Sequence, residues 1–347
     1  GLIYVWPVVL VLLLIHPRFM CFAYGGGVVG AVSLLLRGLH LLFPGIANVG
    51  IIASLMAIDL PALMALVAVL HLTESFLIFI SGHINASPVI LRNPRGEVVA
   101  GFMLQRFWPL PITALLATLV SATEQFEGSI AMPDWWPLLQ PVLKPEAGMV
   151  LSFFLLPIVA TLGYSDIAVS TSPREKSKIS ARRLAVYSGA LLLLSLAAGR
   201  LPLLQILPVL FAPLGHEYLI QAGNRREWSA PPLWTPPQRG VKLLATWPGL
   251  PAALAGLGTG WIIHSVNGIE VNSSRELGAA LDTFPCAAVM DVESPAGEKK
   301  TVEIRTQGKL GIILIPRPGD GGPYLKMSGK GFLLRLWEKI KKKQSGA

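Results

Sequence analysis

The sequence predicts a polytopic α-helical membrane region of about eight spans followed by a small, barrel-like α/β domain. Three observations carry this expectation. Only 14% of the 347 residues are charged, against roughly 25% in an average soluble domain, and 52% are hydrophobic. The charge is unevenly shared: residues 1–215 hold 21 Asp, Glu, Lys and Arg side chains, and the shorter remainder holds 28. Beyond a proline-rich stretch, long apolar runs give way to short alternating segments. Such a composition excludes a disordered chain and argues against an ordinary soluble enzyme.

A span needs about 20 apolar residues, somewhat fewer where the bilayer thins. Eight runs approach this: 2–15, 20–36, 43–57, 61–80, 105–121, 148–169, 184–198 and 201–214. The last two are separated by Arg200-Leu201-Pro202, and one kinked helix is the alternative to two. The chain starts at Gly1 and is apolar at once, which predicts a first span cut short. No basic segment or small-residue cleavage site marks a signal peptide there. Lys and Arg are retained on the cytoplasmic side. The loop 171–183 carries Arg174, Lys176, Lys178, Arg182 and Arg183 against Glu175, and Arg92, Arg95 and Arg106 oppose only Glu97. The segment 122–147 is acidic, with Glu124, Glu127, Asp134 and Glu146 against Lys144. Basic loops inside and an acidic loop outside put the hydrophilic C-terminal half in the cytoplasm, with the chain in the cell membrane. Within the loop 85–107, Ser87–Arg92, then Asn93-Pro94-Arg95-Gly96, then a second apolar run predicts a strand–turn–strand hairpin.

Chemistry-bearing patterns are sparse. His71 and Glu74 lie three apart, on one face of the fourth span. A polar pair gluing helices is the favoured reading over an ion site, and no repeat of a transporter kind is visible. His216-Glu217 opens like the zinc motif H-E-x-x-H, but the fifth position is Ile220, so the second imidazole is missing. Those two residues are expected where the last span meets water. Val186-Tyr187-Ser188-Gly189 only approximates an intramembrane serine nucleophile, and no phosphate-binding loop occurs. Cys21 and Cys286 fall in different halves and predict neither a disulfide nor a metal cluster. No catalytic residue, metal or cofactor is expected. The net charge of +9 owes +6 to residues 326–347, so a nucleic-acid-binding face is not expected either.

A linker is predicted at 216–237, stiffened by Pro231, Pro232, Pro236 and Pro237, and a folded domain at 238–318. Its elements follow from pattern: a strand from Arg239 to Ala245, a turn and short helix from Pro248, and a strand ending in the turn Asn267-Gly268. A capping box, Ser273-Ser274-Arg275-Glu276, then opens a helix, and further strands follow at 287–293, 301–305 and 310–315. Gly240-Val241, the segment Pro248-Gly-x-Pro-Ala-Ala-x-Ala-Gly-Leu257, Gly258–Ile263, Val266-Asn267-Gly268 and Val271-Asn272-Ser273 together closely resemble a bacterial PDZ domain over about 80 residues, with Trp261 as a departure where a polar residue is usual. The resemblance implies a groove between the Gly240–Ala245 strand and the helix that follows the capping box. There a protein C-terminus or an extended peptide would add to the strand edge. Backbone groups at Gly240 and Val241 would meet the terminal carboxylate, Arg239 would assist, Lys242 and Leu243 would continue the strand, and Leu277 and Leu281 would line the side-chain pocket.

Residues 319–347 predict a basic amphipathic tail, with Phe332, Leu333, Leu336, Trp337 and Ile340 at helical spacing and lysines behind them, suited to an anionic lipid surface. A multispan region followed by one cytosolic PDZ domain resembles the MinJ-type membrane scaffolds of Gram-positive bacteria, whose partners are other division proteins. The expectation is therefore a non-enzymatic membrane scaffold. The alternatives are an intramembrane protease of degenerate site-2 type, or a regulator presenting substrates to a protease.

Overall fold

The computed structural model describes residues 1–123, 129–133, 135–137, 139, 141, 143, 145–283, 286–305, 309–317, 320 and 324–325. A short apolar helix, α1 (Leu2–Ile15), precedes α2 (Phe22–Leu42), α3 (Gly50–Met56) and α4 (Leu60–Ser81). Two further helices follow much later, α5 (Pro173–Arg200) and α6 (Ile206–Ser229). Among the described residues four helical stretches are long and apolar enough to cross a membrane: α2, α4, α5 and Pro202–Ser229.

The expected eight spans are thus corrected at 43–57, 105–121 and 148–169, and the run 2–15 is a helix shorter than the four. The run 43–57 holds Pro44, Gly45 and Gly50 and yields only a 3-10 turn at Pro44–Asn48 and the seven-residue α3. The runs 105–121 and 148–169 are strands, β2 (Val98–Ser121) and β3 (Met149–Ala168). The last two runs are separate helices, broken by a 3-10 turn at Pro202–Gln205. The helix expected to stop at Leu214 runs on to Ser229, so the first half of the expected linker is helical.

Glycines on α2 set the helix packing. A Cβ on Gly27 would lie 2.6 Å from Pro213, and one on Gly30 would lie 2.8 Å from Val209, so α2 meets α6 at backbone distance. On the adjoining face a Cβ on Gly25 would sit 2.4 Å from Val9 of α1.

The first strand, β1 (Ser87–Arg92), pairs antiparallel with the start of β2, where the sequence predicts the small hairpin. β2 then pairs with β3 from Phe102↔Ala168 to Ser121↔Met149. Proline disfavours a helix in this ribbon. Pro109 and Pro111 stand two apart in β2 and Pro157 stands inside β3, and each would cost a helix a backbone hydrogen bond, although α1 and α6 hold single interior prolines. In the ladder all three take positions of one parity, at Pro109↔Thr161, Pro111↔Val159 and Thr113↔Pro157. A residue without an N–H fits only where that group would point away from the partner strand. The prolines therefore remove outward donors that an apolar environment could not satisfy. The ribbon lies along α4, with Leu70 packed against Ala160 and Leu162.

At the base of the ribbon a buried ion cluster joins three elements. Lys176 of α5 lies 3.1 Å from Glu227 of α6 and 3.3 Å from Asp166 of β3. Glu227 also accepts from the Val169 and Ser170 N–H groups, each at 2.7 Å.

The C-terminal half is β-rich. It contains β4 (Val241–Thr246), a short α7 (Pro251–Leu254), β5 (Ile262–Val266), β6 (Ile269–Glu270), α8 (Ser274–Thr283), β7 (Ala288–Glu293), β8 (Lys299–Ile304) and β9 (Ile312–Leu314). Its sheet runs β8-β7-β5-β4-β9, with β6 beside β5. Asn267 and Gly268 both take positive φ, 49° and 81°, as a two-residue hairpin turn requires. The sheet covers a core of Leu243, Ile263, Val266, Leu277 and Met290. Leu244 and Ile315 instead join the core of the helical half. Trp234 meets Phe102 edge-on at 5.2 Å. The amphipathic tail expected within 319–347 lies outside the described residues.

Candidate functional site

The expected groove residues divide into three groups. Arg239 is exposed and Gly240 begins the sheet with φ 82°. Both backbone groups of Gly240 are engaged: its N–H donates to Asn272 Oδ1 at 2.8 Å, and its carbonyl accepts from Arg317 at 2.9 Å. β4 itself is bonded on both sides, to β5 through Val241↔Ile263 and Lys242↔Ile262, and to β9 through Leu243↔Leu314. An added strand has no edge to join there. Val241, Leu243 and Leu277 are core residues, the last only 2% exposed. The groove expected along Gly240–Ala245 is therefore corrected, because β9 occupies that place.

The sheet has its open edge one strand further out. β9 ends the strand order, and among the described residues no strand pairs with its outer side. An apolar cleft of about 390 Å³ lies there, lined by Trp247, Leu250, Leu281, Lys309, Leu310, Gly311 and Ile312. Leu281 is thus the one expected pocket residue that the structure keeps in a cleft. Helix α8 is held for this role by its cap. Ser273 Oγ accepts from the Glu276 N–H at 3.1 Å, and the Glu276 carboxylate accepts from the Asn272 N–H at 2.7 Å. The Asn272 N–H and the Ser273 hydroxyl hold the Glu276 carboxyl below the usual carboxylate range.

Backbone at the cleft is equally specified. The carbonyls of Leu310 and Gly311 accept from the N–H groups of Ala252 and Trp247, at 3.1 and 2.8 Å. A trans peptide points its N–H opposite its C=O, so the N–H groups of Gly311 and Ile312 face away from that loop. Gly311 has φ 72°, and a Cβ there would lie 2.4 Å from Leu250. Only glycine fits this turn. The signal in the sequence was Leu310-Gly311-Ile312, an apolar pair around a glycine at the start of the last strand.

A second polar centre lies among the helices. Cys21 caps the N-terminus of α2, and its Sγ lies 3.1 Å from His71 Nε2 of α4 and 3.8 Å from His216 Nε2 of α6. The ring of His216 meets those of His71 and Tyr24 edge-on, each at 5.3 Å, and that of Tyr187 at 5.8 Å. Glu217 accepts from the Tyr24 hydroxyl at 2.6 Å and pairs with Arg18 at 3.3 Å. His71 therefore turns to Cys21 rather than to Glu74. His216 and Glu217 stand inside α6, with His216 against Cys21 and His71 and Glu217 bonded to Tyr24 and Arg18. The expectation of no metal-ligand cluster is corrected to this extent: three potential donors converge, from positions 50 and 195 residues apart from Cys21.

No protein-family model matches the chain. A curated relative is the cell division topological determinant MinJ of Bacillus subtilis (strain 168), 26% identical over 225 residues, which are 65% of this chain and 53% of MinJ. The chain is a distant relative of MinJ and spans about half of that protein's length.

Proposed function

We propose that the chain is a non-enzymatic membrane scaffold of cell division that holds a PDZ-type peptide-binding module at the cytoplasmic membrane face. The observation that carries the reading is the coincidence of an open sheet edge, β9, with an apolar cleft walled by α8. An extended segment adding to β9 gains main-chain hydrogen bonds, and the cleft selects its side chain. Leu281, Trp247 and Leu250 receive an apolar terminal residue. The Gly311 and Ile312 N–H groups, with Lys309 beside them, receive its carboxylate. The ligands are C-termini or extended segments of other membrane or division proteins, in keeping with the relative's name.

The charge distribution supports the orientation. The end of the helical half that meets the sheet bears Arg92, Arg95, Arg174, Lys178, Arg182, Arg183, Arg225 and Arg226, a bias typical of cytoplasmic surfaces. Labelling tests it, in a background with Cys21 and Cys286 replaced by alanine. A membrane-impermeant maleimide is expected to reach Ser129→Cys in intact cells, and Ser273→Cys only after lysis. Strong labelling at 273 in intact cells would put the module on the outer face and remove its access to cytoplasmic partners.

A further inference from the structure

We propose that Cys21, His71 and His216 bind a zinc ion that ties α2, α4 and α6 together. The three donor atoms all lie within 4.8 Å of one another. An ion holding sulfur at about 2.3 Å and imidazole nitrogen at about 2.0 Å separates tetrahedral donors by roughly 3.3–3.6 Å. The observed separations from Cys21 Sγ, 3.1 and 3.8 Å, straddle that range. Small side-chain rotations close the triangle around an ion.

The imidazoles are prepared for the role. A carbonyl can only accept, so His71 Nδ1 donates its proton to the Val67 carbonyl at 2.7 Å. The lone pair then sits on Nε2, the atom that faces Cys21, and the carbonyl fixes the ring as an outer partner does in metal sites. His71 is only 3% exposed. His216 Nδ1 is buried and has no hydrogen-bond partner among the described residues. The carbonyl one turn before it, Ala212, is already taken by the Tyr187 hydroxyl at 2.7 Å. Cys21 caps the N-terminus of α2, where its sulfur accepts from the Ala23 N–H at 3.4 Å and faces both imidazoles.

One thiolate and two imidazoles suit a borderline-soft ion such as Zn²⁺ and exclude Mg²⁺ and Ca²⁺, which take oxygen donors. Glu217 adjoins the site, but its carboxylate is committed to Tyr24, Arg18 and Gln221. The role assigned to the ion is therefore to cross-link helices. This inference is independent of the peptide groove.

The test uses the full chain purified in mild detergent. Elemental analysis is expected to find about one zinc per chain, falling at least about tenfold in Cys21→Ala and in His216→Ala and unchanged in Cys286→Ser, whose sulfur is exposed in the other half. Cobalt added to the zinc-stripped wild type should give a thiolate-to-metal charge-transfer band, and X-ray absorption at the zinc edge should show one sulfur and two imidazole nitrogens. These wild-type readouts decide the matter if a variant fails to fold. Absence of stoichiometric zinc and of the cobalt band, a metal shell without sulfur, or metal that survives in well-folded Cys21→Ala overturns the proposal.

Discussion

Leu277→Lys is expected to unfold the C-terminal half, whereas Leu281→Lys, one helical turn further on, should leave it folded and abolish peptide capture. Leu277 is 2% exposed and packs in the core with Leu243, Ile263 and Met290. An unpaired ammonium there costs several kcal/mol, a large part of the 5–15 kcal/mol that hold a typical domain together. Leu281 only packs against that core from its edge and lines the cleft beside β9. A lysine there can extend its charge into water while filling the place of an apolar ligand residue. A loss of only about 1.4 kcal/mol already weakens binding tenfold. Hydrogen exchange across β4–β9 in the full chain reads the fold, and peptides selected from a library of random C-termini read the binding. Native protection in Leu277→Lys would refute the core assignment. Undiminished binding by Leu281→Lys would place the ligand elsewhere.

Lys176→Met is expected to destabilise the helical half by about 3–5 kcal/mol, the usual cost of removing one partner from a buried ion pair. The side chains of Lys176 and Glu227 are each 5% exposed, and Asp166 approaches the same ammonium. Without it Asp166 and Glu227 lose the cation that both approach. Glu227 keeps its bonds to the Val169 and Ser170 N–H groups, and Asp166 keeps the Ser180 hydroxyl. Adding Glu227→Gln to Lys176→Met should recover part of the loss. Thermal denaturation in detergent measures both, and a single variant within about 0.5 kcal/mol of wild type, the range of ordinary surface substitutions, would show that the cluster does not hold the elements together.

Much of this architecture was legible where local rules act alone. Apolar run length found the runs 20–36, 61–80, 184–198 and 201–214 as helical but missed the start of α5 in the expected loop 171–183 and the end of α6 in the expected linker, and the turn chemistry of Asn267-Gly268 and the Ser273–Glu276 cap placed the β-rich half in order. Run length failed where a strand is as long and apolar as a span. There Pro109, Pro111 and Pro157 weigh against a helix, since each removes a backbone donor, but α1 and α6 hold Pro7 and Pro213 in their interiors, so proline alone does not discriminate. The open sheet edge lies one strand further out than expected because sheet order is a non-local property. Val241 of β4 and Ile312 of β9 are 71 residues apart in numbering, yet the two strands pair in space. His71 and His216-Glu217 stood out singly in the sequence, but their convergence on Cys21 had no local signal, since the three lie on different helices.

The central claim is recruitment at the division site by a membrane-held peptide module. Its most direct test is the position of a fluorescent fusion of the full chain in dividing cells, compared with the Leu281→Lys variant expressed at the same level. The account predicts accumulation of the wild type at division sites and an even distribution of the variant around the membrane. Even distribution of the wild type at every stage of division, or unchanged accumulation of the variant, would contradict it.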